Sequence, residues 1–249
     1  MVSSNRDTIS VNECQILAHY KYEAEQFIIT LACPEIANTT LPGQFVHLSV
    51  SGMLAMRRPI SVMSVDKTNG TFDLLYKIVG EGTRQLAERK IGDILSAIGP
   101  IGNGFKMTDK KNPLLIGGGV GMPPIIAIAQ YIKDNNFYNP YVILGSEIPF
   151  PFKTIVSNLS GFYSSKLHTM PQLEEWKIAC GLTSLQSYEG VYNGYVTGLA
   201  KEYLDSLSEN ELQEIEIYSC GPHPMLEAVS KLAENYNLPC QVSLEEFMA

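Results

Sequence analysis

Two hydrophobic rhythms divide the chain. From Ser10 to about Ala97, apolar residues come in short runs with period-two alternation or high β-branched content, separated by turn residues. That pattern predicts strands over residues 10–18, 25–32, 44–50, 60–65, 71–78 and 93–98. Leu41-Pro42-Gly43 punctuates before the third strand, and Lys67-Thr68-Asn69-Gly70 is a hairpin signal between the fourth and fifth. Six short strands and one helix over about 82–90 predict a small antiparallel β-barrel.

After Lys110-Lys111-Asn112-Pro113 strands alternate with helices: strand 114–117, a helix to about Asn135, strand 141–145, then strand 215–219, helix 224–236 and strand 239–243. Alternation of this kind builds a parallel sheet with helical crossovers. The expected organisation is two domains, a barrel over 1–108 and an α/β parallel-sheet domain over 109–249. Residues 148–200 follow neither rhythm. Pro-Phe-Pro-Phe at 149–152 and the small polar residues near 160 predict an irregular excursion there.

The α/β half is organised around Leu114-Leu115-Ile116-Gly117-Gly118-Gly119-Val120-Gly121-Met122-Pro123-Pro124-Ile125-Ile126. It reads as a buried strand, a tight turn and a helix start. Glycines allow positive φ and close approach of another group, while Pro123 and Pro124 suit a first turn whose amides lack intrahelical partners. Such a terminus can hold a phosphate, though a glycine-rich turn can also serve packing alone. Met122 occupies the position of the last glycine of G-x-G-x-x-G, so the Rossmann dehydrogenase fingerprint is absent.

Composition narrows the function classes. A net charge of -8 and a pI near 5.1 argue against binding a nucleic-acid backbone, which needs clustered Lys and Arg. With 45% hydrophobic residues the chain is an ordinary globular one. Neither a signal peptide nor a transmembrane stretch is visible, so no membrane insertion is expected. Cysteines at 14, 33, 180, 220 and 240 form no C-x-x-C pair. They suit reduced thiols in a cytoplasm and supply no zinc or iron–sulfur motif, and the histidines at 19, 47, 168 and 223 are equally scattered.

Candidate chemistry lies in five short stretches. In Met56-Arg57-Arg58-Pro59-Ile60-Ser61-Val62 two arginines enter a strand and point to opposite faces, so one reaches over the barrel surface and the other is solvated. Arg58 suits a pyrophosphate through its planar fork and Ser61 a ring heteroatom; the alternative is an ordinary charged strand edge. Leu75-Tyr76-Lys77 ends a later strand, and Gly80-Glu81-Gly82-Thr83 follows as a tight turn opening a helix. Gly99-Pro100-Ile101-Gly102-Asn103-Gly104-Phe105 closes the barrel half. In the second half, Tyr218-Ser219-Cys220-Gly221-Pro222-His223-Pro224-Met225-Leu226 repeats the order strand, turn, helix start.

Arg-Pro-Ile-Ser, Gly-Glu-Gly-Thr, Gly-Pro-Ile-Gly-Asn-Gly-Phe, Ile-Gly-Gly-Gly-Val-Gly-Met-Pro-Pro and Cys-Gly-Pro-His-Pro-Met, in this order, resemble the ferredoxin reductase superfamily. Within it the chain is most similar to the electron-transfer subunits of dihydroorotate dehydrogenase B, from about Gln44 to Ala249 and more weakly over 148–200. The resemblance implies FAD contacts at Arg58, Pro59, Ile60 and Ser61, with the arginine on the phosphates and the serine near the flavin ring. It adds Leu75, Tyr76 and Lys77 as a second FAD segment and Gly82 with Thr83 as the pyrophosphate turn. Gly117, Gly118, Gly119, Val120, Gly121, Met122 and Pro123 become the NAD phosphate loop, and Cys220, Gly221, Pro222 and Met225 the turn that sets the nicotinamide against the flavin. Cys220 is then a positioning residue; as a lone cysteine it would be buried packing.

The implied activity is an NAD(P)H-dependent flavin oxidoreductase that exchanges hydride with NAD(H) and electrons with a partner, an FMN-containing dihydroorotate dehydrogenase catalytic subunit of pyrimidine biosynthesis, in a hetero-oligomer. Alternatives are a stand-alone or oxygenase-linked flavin reductase and a non-catalytic, FAD-holding regulatory subunit. The family continues beyond a segment like Ser243-Leu244-Glu245-Glu246-Phe247-Met248-Ala249 into cysteines that bind a 2Fe–2S cluster, so a cluster is expected only with sequence past Ala249. Glu147, just past strand 141–145, suits a free ribose hydroxyl and so NADH, or is a solvated loop glutamate.

Overall fold

The computed structural model describes residues 9–50, 56–159 and 168–244. These fall into two compact units, the first ending at Gly104 and the second beginning at Phe105.

The first unit is a closed antiparallel barrel of β1 (Ser10–Tyr22), β2 (Gln26–Ala32), β3 (Phe45–Ser49), β4 (Arg58–Asp66), β5 (Thr71–Lys77) and β6 (Ile94–Ile101), in the order β1-β2-β5-β4-β3-β6. Alternation dictates the interior: Cys14 and Ile16, Ile29 and Leu31, Val46 and Leu48, Ile60 and Val62, Phe72 and Leu74, Leu95 and Ala97 share one buried cluster. The β4–β5 hairpin turns where the Asp66 carboxylate accepts the amides of Thr68 (2.9 Å) and Asn69 (3.0 Å), with Gly70 at φ 65°. Helix α1 (Pro34–Thr39) was not legible as a helix, because six residues with only Ile36 and Ala37 buried carry no period. Helix α2 (Glu81–Ala87) adds Leu86 to the barrel core.

The second unit contains β7 (Asn112–Gly118), α3 (Met122–Ile132), β8 (Tyr141–Gly145), the two-stranded pair β9 (Ile155–Val156) and β10 (His168–Thr169), α4 (Pro171–Glu175), β11 (Ala179–Ser184), β12 (Tyr192–Asn193), α5 (Val196–Asp205), α6 (Glu209–Gln213), β13 (Ile215–Gly221), α7 (His223–Asn235) and β14 (Cys240–Leu244). Six strands form a parallel sheet ordered β12-β11-β8-β7-β13-β14. The chain builds outward from β7 on one side and returns to add β13 and β14 on the other. The carboxyl ends of β7 and β13 therefore flank a topological switch point, where open α/β sheets bind ligands.

The irregular excursion expected over 148–200 is corrected in part. Residues 179–184 are an internal strand, β11, paired with β8 from Ala179 to Thr183, and α5 covers that side of the sheet with Val196, Leu199, Ala200 and Leu204. The strand carries no apolar period in the sequence because Ala-Cys-Gly-Leu-Thr-Ser holds one large apolar residue. Gly181 has no room for more: a methyl group there would lie 2.6 Å from Leu199 Cδ2 and 2.7 Å from the Tyr141 hydroxyl. The polar run near 160 lies outside the described residues.

Candidate functional site

In the barrel, the two arginines do separate. Arg57, the arginine expected to be solvated, is instead half-buried and clamped: Nη1 donates to the Ser96 carbonyl (2.7 Å) and Nη2 to the Ser96 hydroxyl (3.0 Å) on β6. Arg58 lies over the first turn of α2, where a methyl group on Gly82 would collide with Nε and sit 2.6 Å from Cζ. Its Nη1 donates to the Met56 carbonyl at 3.1 Å, and no carboxylate among the described residues pairs with it. Thr83 shapes the same turn, its hydroxyl accepting the amides of Val79 (3.0 Å) and Gly80 (3.3 Å) and donating to the Gly80 carbonyl (3.1 Å). Arg58, Gly82 and Thr83 thus converge on one turn although 24 positions separate Arg58 from Gly82.

The other barrel residues divide by face. Pro59 is exposed, Ser61 and Lys77 are half-buried, and Ile60, Leu75 and Tyr76 are buried. Tyr76 belongs to the barrel core, stacked on Phe27 with ring centroids 5.3 Å apart. His19 Nδ1 lies 3.0 Å from the Arg89 carbonyl, which can only accept, so Nδ1 carries the proton and Nε2 accepts from the Tyr76 hydroxyl at 2.8 Å. Burial pushes the Tyr76 phenol well above its ordinary value, so it stays a neutral donor.

At the switch point the glycines have distinct physical tasks. β7 and β13 pair with Cys220 opposite Gly117. A methyl group on Gly121 would collide with the Cys220 carbonyl oxygen and lie 2.5 Å from Cys220 C and Gly221 N. One on Gly118 would strike Met225 Sδ, and one on Gly117 would sit 3.1 Å from Met122 Cα. Gly119 differs, with open space around it and φ 56°, so it serves the turn, not the contact. Gly119 and Val120 form the exposed tip, while Met122 and Pro123 are buried at the start of α3. Helix α3 is apolar nearly all round and leans on β7, β8 and β13. The loop therefore presents an exposed tip over a buried base. Cys220 is buried at 1% exposure. Glu147 is exposed just past β8, and its carbonyl accepts from Gln186 Nε2 at 2.7 Å, a brace from the end of β11.

Comparison with known proteins sets these features in a family. An oxidoreductase FAD-binding domain model matches residues 15–105. The electron transfer subunit of dihydroorotate dehydrogenase B (NAD(+)) from Caldanaerobacter subterraneus subsp. tengcongensis is 34% identical over 210 residues, 84% of this chain and 72% of that one. The Bacillus caldolyticus electron transfer subunit is 31% identical, over 98% of this chain and 84% of its own length. The chain belongs to the dihydroorotate dehydrogenase B electron transfer subunit family. It is thus an FAD-binding oxidoreductase of ferredoxin reductase-like fold, as the motifs implied. Among solved structures, an NADH-dependent reduced ferredoxin-NADP oxidoreductase superposes with a TM-score of 0.75 at 25% identity, covering 94% of this chain and 77% of that one. A ferredoxin reductase of carbazole 1,9a-dioxygenase shares the fold at a TM-score of 0.72 and 20% identity, over 94% and 69% of the two chains.

For this electron transfer subunit family member, the sequence missed the supporting residues. Ser96 under Arg57, His19 behind Tyr76 and Gln186 behind Glu147 lie 39, 57 and 39 positions from their partners, and no local spacing announces them. Among the described residues, no group of three or more His, Cys, Asp or Glu could hold a metal ion, and no helix is long and apolar enough to cross a membrane.

Proposed function

We propose that this protein is the FAD-bearing electron-transfer subunit of a dihydroorotate dehydrogenase, passing electrons between NAD(H) and an FMN-containing catalytic subunit in a cytoplasmic hetero-oligomer. The observation that carries the nucleotide half is the junction at the switch point. Gly121 is packed on the Cys220 carbonyl, so the phosphate loop and the Cys-Gly-Pro turn form one continuous backbone surface. The barrel half rests on Arg58, a cation with no carboxylate partner among the described residues, lying on Gly82.

Both cradles fit their groups. Arg58, Gly82 and Thr83 would hold the FAD pyrophosphate, with Pro59, Ile60 and Ser61 alongside the flavin and Leu75, Tyr76 and Lys77 as the second wall. Tyr76 contributes through its backbone and through the wall it supports, since its side chain lies in the barrel core. Gly117 to Pro123 would hold the nicotinamide nucleotide phosphates, Glu147 its ribose hydroxyls, and Cys220, Gly221, Pro222 and Met225 the nicotinamide end. Bound flavin supplies the exchange between hydride pairs and single electrons. What these residues would do is bind and orient the two nucleotides. No acid or base is required of the chain for hydride transfer.

The test is reconstitution. The FAD-loaded protein, mixed with an FMN-containing dihydroorotate dehydrogenase subunit, should support NAD+ reduction by dihydroorotate. Flavin reduction by NADH without any such coupling would point to a flavin reductase serving another acceptor. A yellow protein that NADH does not bleach would indicate a regulatory subunit.

A further inference from the structure

We propose that Met225 is a positioning residue, whose thioether bears on the ends of β7 and β13 at Gly118 and Gly221 and so fixes the backbone surface of the nicotinamide-nucleotide site; this rests on the nucleotide reading above. Met225 sits in the first turn of α7, its amide bonded to the Pro222 carbonyl at 2.9 Å. Two glycines from neighbouring strands lean on it. A methyl group on Gly118, ending β7, would strike Sδ and lie 3.4 Å from Cε, and one on Gly221, ending β13, would strike Cε and lie 3.0 Å from Sδ. The same Gly221 position stands 3.3 Å from the Gly118 carbonyl oxygen. One side chain thus touches the backbone on both sides of the switch point, and each strand gives up its Cβ to admit it.

An ordinary core methionine would not behave this way. Met225 is half-buried, packed at the edge of the cluster formed by Ile116, Ile217 and Val229 and not within it. α7 is already fastened by Leu226, Val229, Leu232 and Ala233. The fold therefore needs Met225 less than the gap does. An unbranched thioether suits a narrow slot between two backbones.

The test uses the FAD-loaded protein and anaerobic flavin reduction over a range of NADH concentrations. Met225→Ala should weaken NADH affinity about tenfold while leaving FAD content unchanged. Met225→Leu, which keeps most of the volume, should recover affinity to within about threefold. Gly118→Ala alone should weaken NADH binding by displacing the sulfur. Combined with Met225→Ala it should bind better than either single variant, because the new methyl group occupies the space the thioether left. Wild-type affinity in Met225→Ala, or a double variant as poor as the two losses multiplied, overturns the positioning role. Failure of NADH to reduce the wild-type flavin overturns the nucleotide site itself, which the affinity ratios among variants do not address.

Discussion

Replacing Gly121 with alanine adds one methyl group where the glycine loop rests on β13. The backbone there, at φ -83° and ψ -2°, accepts an L residue, so the cost is contact alone. The new carbon meets Cys220 C and Gly221 N at 2.5 Å and must reach the 3.4 Å at which ordinary contact begins, a movement of about 0.9 Å. Neither neighbour is a mobile side-chain end. Cys220 is held in the sheet opposite Gly117 on one side and Ser243 on the other, so the loop has to lift. Overpacking costs roughly 1–3 kcal/mol, and backbone on both sides of the contact puts this case near the upper end, about 3 kcal/mol. If half of that falls on the nucleotide site, NADH affinity drops about tenfold, and the remainder lowers the Tm by roughly 3–6 °C. Stopped-flow flavin reduction against NADH concentration gives the affinity, and flavin absorbance reports FAD retention, which should not change. Two other alanines calibrate the result. Gly80→Ala should be silent, since nothing lies within 4 Å and its φ of -172° is extended. Gly119→Ala meets open space but a φ of 56°, and should cost about 1–2 kcal/mol of stability without moving the Cys220 turn. Unchanged NADH affinity and Tm in Gly121→Ala would refute the contact argument.

Other outcomes follow from the same geometry. Arg58→Ala should release FAD about 10-fold or more readily by equilibrium dialysis, whereas Arg57→Ala should keep FAD but lower the Tm through loss of the Ser96 clamp, at about 1.5–3 kcal/mol for a charged donor; equal FAD retention in both counts against the assignment. Tyr76→Phe should cost about 1 kcal/mol by losing the His19 bond, read by urea denaturation, with FAD still bound. Glu147 should make NADH the better donor, and Glu147→Gln should narrow the NADH-to-NADPH ratio of flavin reduction rates; a wild type faster with NADPH sinks the role. Burial, aided by the nearby Arg57 charge, holds the His47 imidazole below its ordinary value. As pH falls, the unfolded chain takes up that proton first, so the contribution is full above the unfolded value of about 6.5 and is lost as pH drops through the lowered folded one. His47→Phe should therefore flatten the Tm profile between about pH 7 and pH 5.

The elements legible in the chain are those whose burial writes a period. Barrel strands alternate because one face fills the interior, as Val46 and Leu48 or Phe72 and Leu74 show, and β8 reads as a continuous apolar run because both its faces are covered. β11 stayed hidden for the opposite reason: Gly181 is small where Leu199 and Tyr141 crowd it, so burial removed the hydrophobic signal. The candidate site was legible as separate motifs but not as a surface. Nothing in Gly117 to Gly121 says which other backbone it will touch; the strand order, with β13 returning beside β7, decides that. Arg57 and Arg58 were separable in principle by alternation, yet that rule predicts only opposite faces. That the Arg57 side would carry a serine hydroxyl and carbonyl at 96 depends on the β3–β6 pairing, which no local pattern contains.

The measurement that tests the account most directly is an anaerobic titration of the purified, FAD-loaded protein with NADH, followed by flavin absorbance. Stoichiometric bleaching of the flavin band is expected, with its return on addition of an oxidised FMN-containing dihydroorotate dehydrogenase subunit. A protein that takes up no FAD, or one whose bound flavin NADH leaves oxidised, would contradict it.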